Sequence, residues 1–119
     1  MKRAHRLRRP EQFQHARHQG RRWESRLLIL QAVANRHRTT RCGFVVSKRI
    51  GGSVERNRAK RRVREAVRLI YQHIMPGWDV VFIIRTPAII SIEFTQLQSL
   101  IEQLLRQASL WQELPSQEV

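Results

Sequence analysis

Small aliphatic residues recur at helical spacing inside the most basic segment of the chain, and this pattern constrains how the segment can fold. Between residues 55 and 74 they fall within a sector of about 100° when successive residues are placed 100° apart. The stripe consists of Ala59, Val63, Ala66, Val67, Ile70 and Ile74. It predicts a helix that docks on a sheet, because a disordered basic arm would not need a helical period.

The rest of this predicted helix is crowded with cations. Seven lie in one stretch: Arg56, Arg58, Lys60, Arg61, Arg62, Arg64 and Arg68. They share one acid, Glu65. It can pair with Arg61, Arg62 or Arg68 but not with all three. Most neighbouring cations therefore repel one another, which argues against a self-paired, solvated face and favours a polyanionic partner.

The charge of the whole chain is lopsided. Its 119 residues include 23 Lys and Arg against nine acids, a formal charge of +14. Residues 1–68 hold 21 basic and four acidic side chains, a balance of +17, while residues 69–119 hold two and five, a balance of −3. A hydrophobic content of 41% excludes a wholly disordered polycation, and the length suits one domain over residues 1–119. The basic half is predicted to be the binding half.

The prevalence of Arg over Lys on this helix favours phosphate as the bound group, since a guanidinium can donate two hydrogen bonds to one phosphate. RNA or DNA is the partner class that the residues indicate. An anionic membrane surface is a weaker alternative partner for the basic start "MKRAHRLRRPEQ", because this segment lacks an acyl-facing stripe. Asn57 could bind a sugar hydroxyl, a base edge or a hydrated metal, or it could cap the helix start.

Further segments have recognisable periodicity. A helix is predicted to begin at Pro10 and to end just before Gly20. Apolar strands at residues 26–34 and 41–47 are joined by a polar segment typical of a hairpin. Ser53 is a candidate N-cap for the basic helix, which should run to about Ile74. The run "WDVVFIIR" predicts a central strand, and residues 91–111 an amphipathic closing helix. Residues 1–9 form a basic arm and residues 112–119 a frayed tail. The fold class is therefore α+β, with a long helical connection that permits a parallel strand pair.

Catalytic groups are sparse. The acids are scattered, so a two-metal nuclease site is not expected in this chain, and no catalytic or metal-holding residue is assigned. His15 and His18 lie one helical turn apart but have no nearby carboxylate to orient them. The single cysteine, Cys42, is in an apolar run, which excludes an internal disulfide and fits a cytoplasmic location.

The residue order of "VSKRIGGSVERNRAKRRVRE" resembles the signature of the bacterial ribonuclease P protein subunit, an Arg-Asn-Arg helix after a Ser-Lys-Lys/Arg-x-x-Gly turn. "RLRRPEQF", "GFVVSKR" and "IIRTPA" resemble other family segments, so the resemblance covers most of residues 6–110. It implies an α-β sandwich of order αβββαβα, similar to the ribosomal protein S5 domain 2-like fold. It also implies a left-handed crossover and a short extra strand near Gly20 to Glu24.

The resemblance further implies an accessory role in Mg²⁺-dependent endonucleolytic removal of the 5′ leader from precursor tRNA. The catalytic RNA subunit would supply the chemistry and hold most of the Mg²⁺, with one ion close to Asn57. Neither DNA nor a membrane is expected as a partner. The RNA-binding residues that it implies are Lys48, Arg49, Arg56, Asn57, Arg58, Lys60, Arg61 and Arg64. Arg68, on the exposed face of the same predicted helix, is added to this set. A ribosomal-type structural RNA-binding protein is the main alternative, and a stand-alone nuclease is the second.

A second implied site is a cleft between the first helix and the sheet, which takes the single-stranded leader. Phe13 matches the family's cleft aromatic, and it could stack on a base or anchor the helix to the core. Arg17 stands where the family commonly has a second aromatic, and it could stack or contact phosphate. From "GFVVS" either Phe44 and Val46 or Val45 and Ser47 would face the cleft. Phe44 and Val46 are taken as the expected pair.

Overall fold

A computed structural model describes residues 1–114 of the protein. Its helices and strands follow one another as α1 (Pro10–Gln19), β1 (Arg21–Glu24), β2 (Leu28–Ala34), β3 (Arg41–Val46), α2 (Ser53–Ile70), β4 (Trp78–Ile84), α3 (Ala88–Ser91) and α4 (Phe94–Gln107). Apart from the single turn of α3, this is the expected αβββαβα order. The α+β class is confirmed, and the extra strand near Gly20 is β1.

The sheet has the strand order β1-β2-β4-β3 in the described residues. β2 pairs with β4 antiparallel, and β3 pairs with β4 parallel, with Phe44 opposite Phe82. The prediction of a central strand at "WDVVFIIR" is confirmed. The prediction of a hairpin between β2 and β3 is wrong, because β4 lies between these two strands.

Both faces of the sheet are packed, but by different elements. On one face α2, α3 and α4 cover a large core that includes Leu30, Phe44 and Phe82. On the other face α1 covers a smaller cluster built around Leu7, Ala16 and Val81. The edge of this second cluster is partly exposed, at Phe13, Val33, Val45 and Ile83. The face beside α1 is therefore the more open one.

Helix α2 lies on the sheet through its aliphatic stripe, as predicted. Ala59, Val63, Ala66 and Val67 are fully buried. The predicted ends are less accurate. Gly52, not Ser53, occupies the N-cap position, and the α-helix ends at Ile70, where a 3-10 turn over Tyr71–His73 continues the chain.

The turn before α2 needs a glycine. Lys48–Ile50 form a 3-10 turn whose first backbone donor is held by Ser47, since Arg49 N–H donates to Ser47 Oγ at 3.2 Å. Ile50 is buried and anchors this turn to the core. Gly51 follows with φ = 135°, a conformation that side chains rarely tolerate. The chain thereby reverses into α2 with Lys48 and Arg49 left exposed.

The first nine residues, predicted as a basic arm, make ordered contacts with the sheet. Arg3–His5 form a 3-10 turn. Arg6 forms a parallel β-bridge with Cys42, and Leu7 N–H donates a hydrogen bond to Cys42 O at 2.9 Å. Leu7 is buried under α1. This segment therefore runs along the outer edge of β3. The predicted tail at residues 112–119 lies largely outside the described residues.

Candidate nucleic-acid interface

The exposed face of α2 has far more cations than carboxylates that pair with them. Within residues 1–114, Arg68 is the α2 cation that forms a salt bridge, with Glu65 at 2.5 Å. This bond lowers the pKa of Glu65 and raises that of Arg68. Arg58 and Arg61 are exposed and have no ion pair in this part of the chain. The expected shortage of acids on this helix is thus present in the structure.

Arg62 is a cation of α2 that is engaged in hydrogen bonds within the fold. Its Nη1 donates to the carbonyl oxygens of Ile89 and Ile90, both at 2.8 Å. These bonds tie α2 to α3, the short helix after β4. Arg62 was not among the predicted RNA-binding residues, and its position gives it a structural role.

Lys60 and Arg64 are partly buried cations without a carboxylate partner among the described residues. Burial lowers the pKa of both, and neighbouring positive charges lower it further. The guanidinium carbon of Arg64 lies 5.9 Å from the ring centroid of Phe44, within the range of a cation–π contact. Arg64 Nε is buried and has no hydrogen-bond acceptor in the described chain. Both side chains therefore lie where an incoming anion would compensate them.

A shallow, open pocket of about 270 Å³ lies at the start of α2. It is lined by Val46, Ser53, Arg56, Asn57 and Lys60. The exposed Asn57 side chain makes no hydrogen bond within residues 1–114, and Gly52 is the N-cap, so Asn57 does not cap this helix. Since two cations and no carboxylate line the pocket, it does not fit a Mg²⁺ ion held by the protein. Its chemistry suits a phosphate or a ribose hydroxyl.

The predicted pair Phe44 and Val46 does not face α1, and this prediction is wrong. Phe44 is stacked on Phe82 in the core under α2, with ring centroids 5.7 Å apart, and Val46 packs on that core. Side chains alternate along a strand, so Gly43 and Val45 of β3 face α1 instead. The sequence left two alternatives open for the residues that face α1, and the structure has the alternative with Val45.

Phe13 and Arg17 lie on α1, beside the open part of the sheet. The Phe13 ring packs so closely over Gly43 that a β-carbon there would overlap it. Phe13 is nevertheless only partly buried. Arg17 is exposed and has no ion pair among residues 1–114. The ring is thus anchored on one side and accessible on the other, which allows either a core role or a stacking role.

Gln31 is a candidate site residue that the sequence reasoning missed. It is 5% exposed, and its Oε1 has no hydrogen-bond partner in the described chain. It alternates with the core-facing Leu30 and Ala32, so it lies on the same face of the sheet as α1. Its signal was visible, because Gln31 is the single polar residue inside the apolar run "LLILQAVA".

The described residues contain no group of three or more His, Cys, Asp or Glu that could hold a metal ion. His15 and His18 are exposed, whereas His5 stacks on Tyr71 and His73 on Trp111. Burial raises the pKa of Cys42 to about 12, so this thiol is neutral and unreactive. Across residues 1–114 no helix has the length and apolar character needed to span a bilayer.

An α+β sandwich with a cation-rich helix on one face of its sheet and an open apolar surface on the other has the features of a nucleic-acid-binding protein. The family model described as Ribonuclease P matches residues 1–109. The chain belongs to the ribonuclease P protein family. Its relatives are the protein subunit of an endoribonuclease that matures the 5′ ends of tRNA together with an RNA subunit, in which the catalytic activity lies.

Similar proteins span nearly the whole chain. The ribonuclease P protein component of Roseiflexus sp. (strain RS-1) is 58% identical over 112 residues, which are 94% of this chain and 92% of the relative. That of Chloroflexus aurantiacus (strain ATCC 29366 / DSM 635 / J-10-fl) is 60% identical over 110 residues, 92% of this chain and 82% of the relative.

Solved structures agree with this assignment. The Staphylococcus aureus RNase P protein superposes with a TM-score of 0.78 at 29% identity, covering 90% of this chain and 97% of that one. The RNase P protein from Thermotoga maritima has a TM-score of 0.76 at 28% identity, covering 85% and 96%. The fold is therefore shared with bacterial ribonuclease P proteins.

Proposed function

We propose that this subunit binds the catalytic RNA through the exposed face of α2 and the turn before it. The same subunit would hold the 5′ leader of precursor tRNA against the sheet beside α1. The observation that carries the proposal is the excess of unpaired cations on α2 in the described chain. The proposed RNA contacts are Lys48, Arg49, Arg56, Asn57, Arg58, Lys60, Arg61, Arg64 and Arg68.

Binding at α2 would help cleavage by electrostatics and positioning. Catalytic RNA and precursor tRNA are both polyanions, so they repel one another when they approach. Cations on the protein offset this repulsion and release counterions, which makes the binding strongly dependent on salt. Holding both RNAs in one geometry also reduces the entropic cost of bringing the scissile phosphodiester into place.

On the α1 side, the proposed leader site consists of Phe13, Arg17, Gln31 and Val45. Phe13 offers a ring surface for stacking on a base, and Val45 an apolar wall. Arg17 is free to contact phosphate, while the unpaired Oε1 of Gln31 can accept a hydrogen bond from a base or a ribose. Stacking tolerates every base, so this site would accept leaders of varied sequence.

The chain's own residues bind and orient but do not hold the reaction's metal. The pocket at Asn57 does not fit Mg²⁺, so the Mg²⁺ that the reaction needs would be held by phosphates of the RNA subunit. A cytoplasmic location accords with the buried, unreactive thiol of Cys42.

Reconstitution tests the proposal. The purified protein is mixed with a ribonuclease P RNA and leader-bearing precursor tRNA in Mg²⁺ at physiological salt, and release of the leader is followed on gels. We expect cleavage that depends on the RNA and is strongly stimulated by the protein. Stimulation lost on replacing Arg58 and Arg61 by Gln would support binding at α2. RNA binding without any stimulation would instead support the ribosomal-type structural role.

A further inference from the structure

We infer that Arg6, Lys60 and Arg64 together bind one phosphate of an RNA strand, so that the N-terminal segment is part of the RNA-binding surface. This inference rests on the proposed function, since it takes α2 to be an RNA contact. Arg6 comes from the segment along the edge of β3, and the other two come from α2. The ligand chemistry is a single phosphodiester anion.

Pairing brings cations from two distant parts of the chain to one face of the sheet. Arg6 is paired with Cys42 on β3, so its side chain lies on the same face as Cys42 and Phe44. Arg64 lies over the Phe44 ring on that face. After burial, the charges of Arg64 and Arg6 are the next causes that lower the pKa of Lys60. For Arg64 the causes after burial are Arg6 and Arg61. An arrangement that buries cations beside one another costs folding free energy, and a bound anion would reverse the sign of that contribution.

Within residues 1–114, no carboxylate forms a salt bridge with Arg6, Lys60 or Arg64. The carboxylates that form salt bridges in residues 1–114 have other partners, since Glu65 pairs with Arg68 and Asp79 pairs with Arg41. Arg64 Nε is buried, and its N–H has no hydrogen-bond acceptor among the described residues. A phosphate could accept from Arg64 Nε and from a second guanidinium nitrogen at once, the two-point geometry that suits arginine.

Arg6 is held in place by the backbone, not by a flexible stem alone. Its bridge to Cys42 and the Leu7 N–H to Cys42 O bond of 2.9 Å fix the segment on β3. The buried Leu7 side chain adds a hydrophobic anchor. The third cation is therefore positioned before RNA arrives, which lowers the ordering cost of binding.

Neighbouring surfaces extend this site in both directions. Lys60 also lines the pocket at the start of α2. Arg6 also lines a cavity of about 260 Å³ with a further four arginines: Arg3, Arg8, Arg9 and Arg41. Arg41 is neutralised by Asp79, so the other three provide the positive charge there. The three-cation site thus lies in the middle of a continuous basic track that crosses the β3 edge from α2 to α1.

A double-mutant cycle with Arg6→Gln and Arg64→Gln tests the inference, with Arg36→Gln as a control that removes an exposed arginine of the β2–β3 loop. Equilibrium binding is measured separately for ribonuclease P RNA and for leader-bearing precursor tRNA, across a salt series. Each single replacement should weaken binding about fivefold near 0.15 M salt, the effect of about one phosphate contact. The double replacement should cost about the same fivefold, because both residues serve one phosphate.

The source of the phosphate follows from which RNA responds. A loss with ribonuclease P RNA alone assigns the phosphate to the RNA subunit, and a loss confined to the precursor assigns it to the leader. Losses that multiply to about 25-fold in the double variant would overturn the shared site. So would an Arg6→Gln effect no larger than that of Arg36→Gln.

Two further measurements separate this inference from folding defects and from the proposed function. Removing one of three repelling charges should leave the melting temperature of Arg6→Gln unchanged or raised, while its RNA affinity falls. A lowered melting temperature together with lost binding would show a structural role for Arg6 and overturn the inference. If Arg61→Gln weakens binding and Arg6→Gln does not, the α2 interface stands and only the phosphate site fails.

Discussion

Helices α2 and α4 pack on the same face of the sheet, but they differ in how far their cations are paired with acids. Both bury four residues under an apolar stripe, Ala59, Val63, Ala66 and Val67 in α2 and Leu97, Ile101, Leu104 and Leu105 in α4. The single cation of α4, Arg106, pairs with Glu102 at 2.9 Å and with Glu113 at 2.6 Å. Among the cations of α2, only Arg68 forms a salt bridge within the described chain. Equal docking with unequal charge balance is the pattern expected if α4 serves stability and α2, as proposed, serves binding.

The largest expected effect tests the stabilising role of α4. Ile101→Ala removes a fully buried side chain from the main core and leaves a cavity. The free energy of unfolding should fall by about 2–5 kcal/mol, measured by urea titration. The protein that remains folded should bind ribonuclease P RNA with unchanged affinity. A loss of affinity per folded molecule would contradict the assignment of α4 to stability alone.

Removing charges from α2 tests the proposed binding role of this helix. Replacing Arg58, Arg61 and Arg64 by Gln should weaken binding to ribonuclease P RNA about a hundredfold near 0.15 M salt and flatten the log-log salt slope by about three units. Filter binding over a salt series measures both quantities. Arg106→Gln is the matched control on α4 and should change neither. An unaltered slope in the triple variant would remove α2 from the interface.

Helix α1 extends the comparison, because it presents a partly exposed aromatic ring, that of Phe13, and not an excess of cations. Phe13→Ala should weaken binding of leader-bearing precursor tRNA by about 1–3 kcal/mol, the range for one stacked base. Binding of mature tRNA should be unaffected. The ratio of the two affinities is the measurement, since a general loss of folded protein cancels from it. Equal losses for both RNAs would make Phe13 a core anchor only.

The smallest effect concerns the one paired cation of α2. Glu65→Gln should free Arg68 and raise RNA affinity by about two- to threefold, a fraction of one phosphate contact. Glu102→Gln on α4 should have no such effect. Because Arg68 lowers the pKa of Glu65, the pair is intact at neutral pH and is lost only as pH falls through that lowered pKa. The gain in affinity should therefore disappear in acid, which a pH series would reveal.

Local periodicity was sufficient to predict α2, α4 and the central strand β4, but it did not predict the single turn of α3. The stripe of α2, the amphipathic α4 and the apolar run of β4 are each read from consecutive residues. Strand pairing is not local, and this is why a hairpin between β2 and β3 was wrongly expected. Two apolar runs joined by a polar segment do not reveal that a third strand, from residues about 40 positions later, inserts between them.

The candidate site was predictable in its charges but not in the directions of its side chains. The shortage of acids on α2 follows from counting, whereas the inward turn of Arg62 depends on carbonyls of α3. For β3, alternation left two phases open, and Phe44 and Val46 were the wrong choice. Gly43 contained the missing signal, because a glycine inside a strand often marks the close approach of another group. That group is Phe13.

The contact of the N-terminal segment with β3 has a consequence for self-association. β3 is an edge strand, and free backbone groups at a sheet edge can recruit a strand from another molecule and lead to aggregates. The bridge at Arg6 and the bond from Leu7 occupy part of this edge. At the opposite edge, β1 is only four residues long and begins with two arginines. The first residues of the chain therefore cover part of an edge at which a strand from another molecule could otherwise pair.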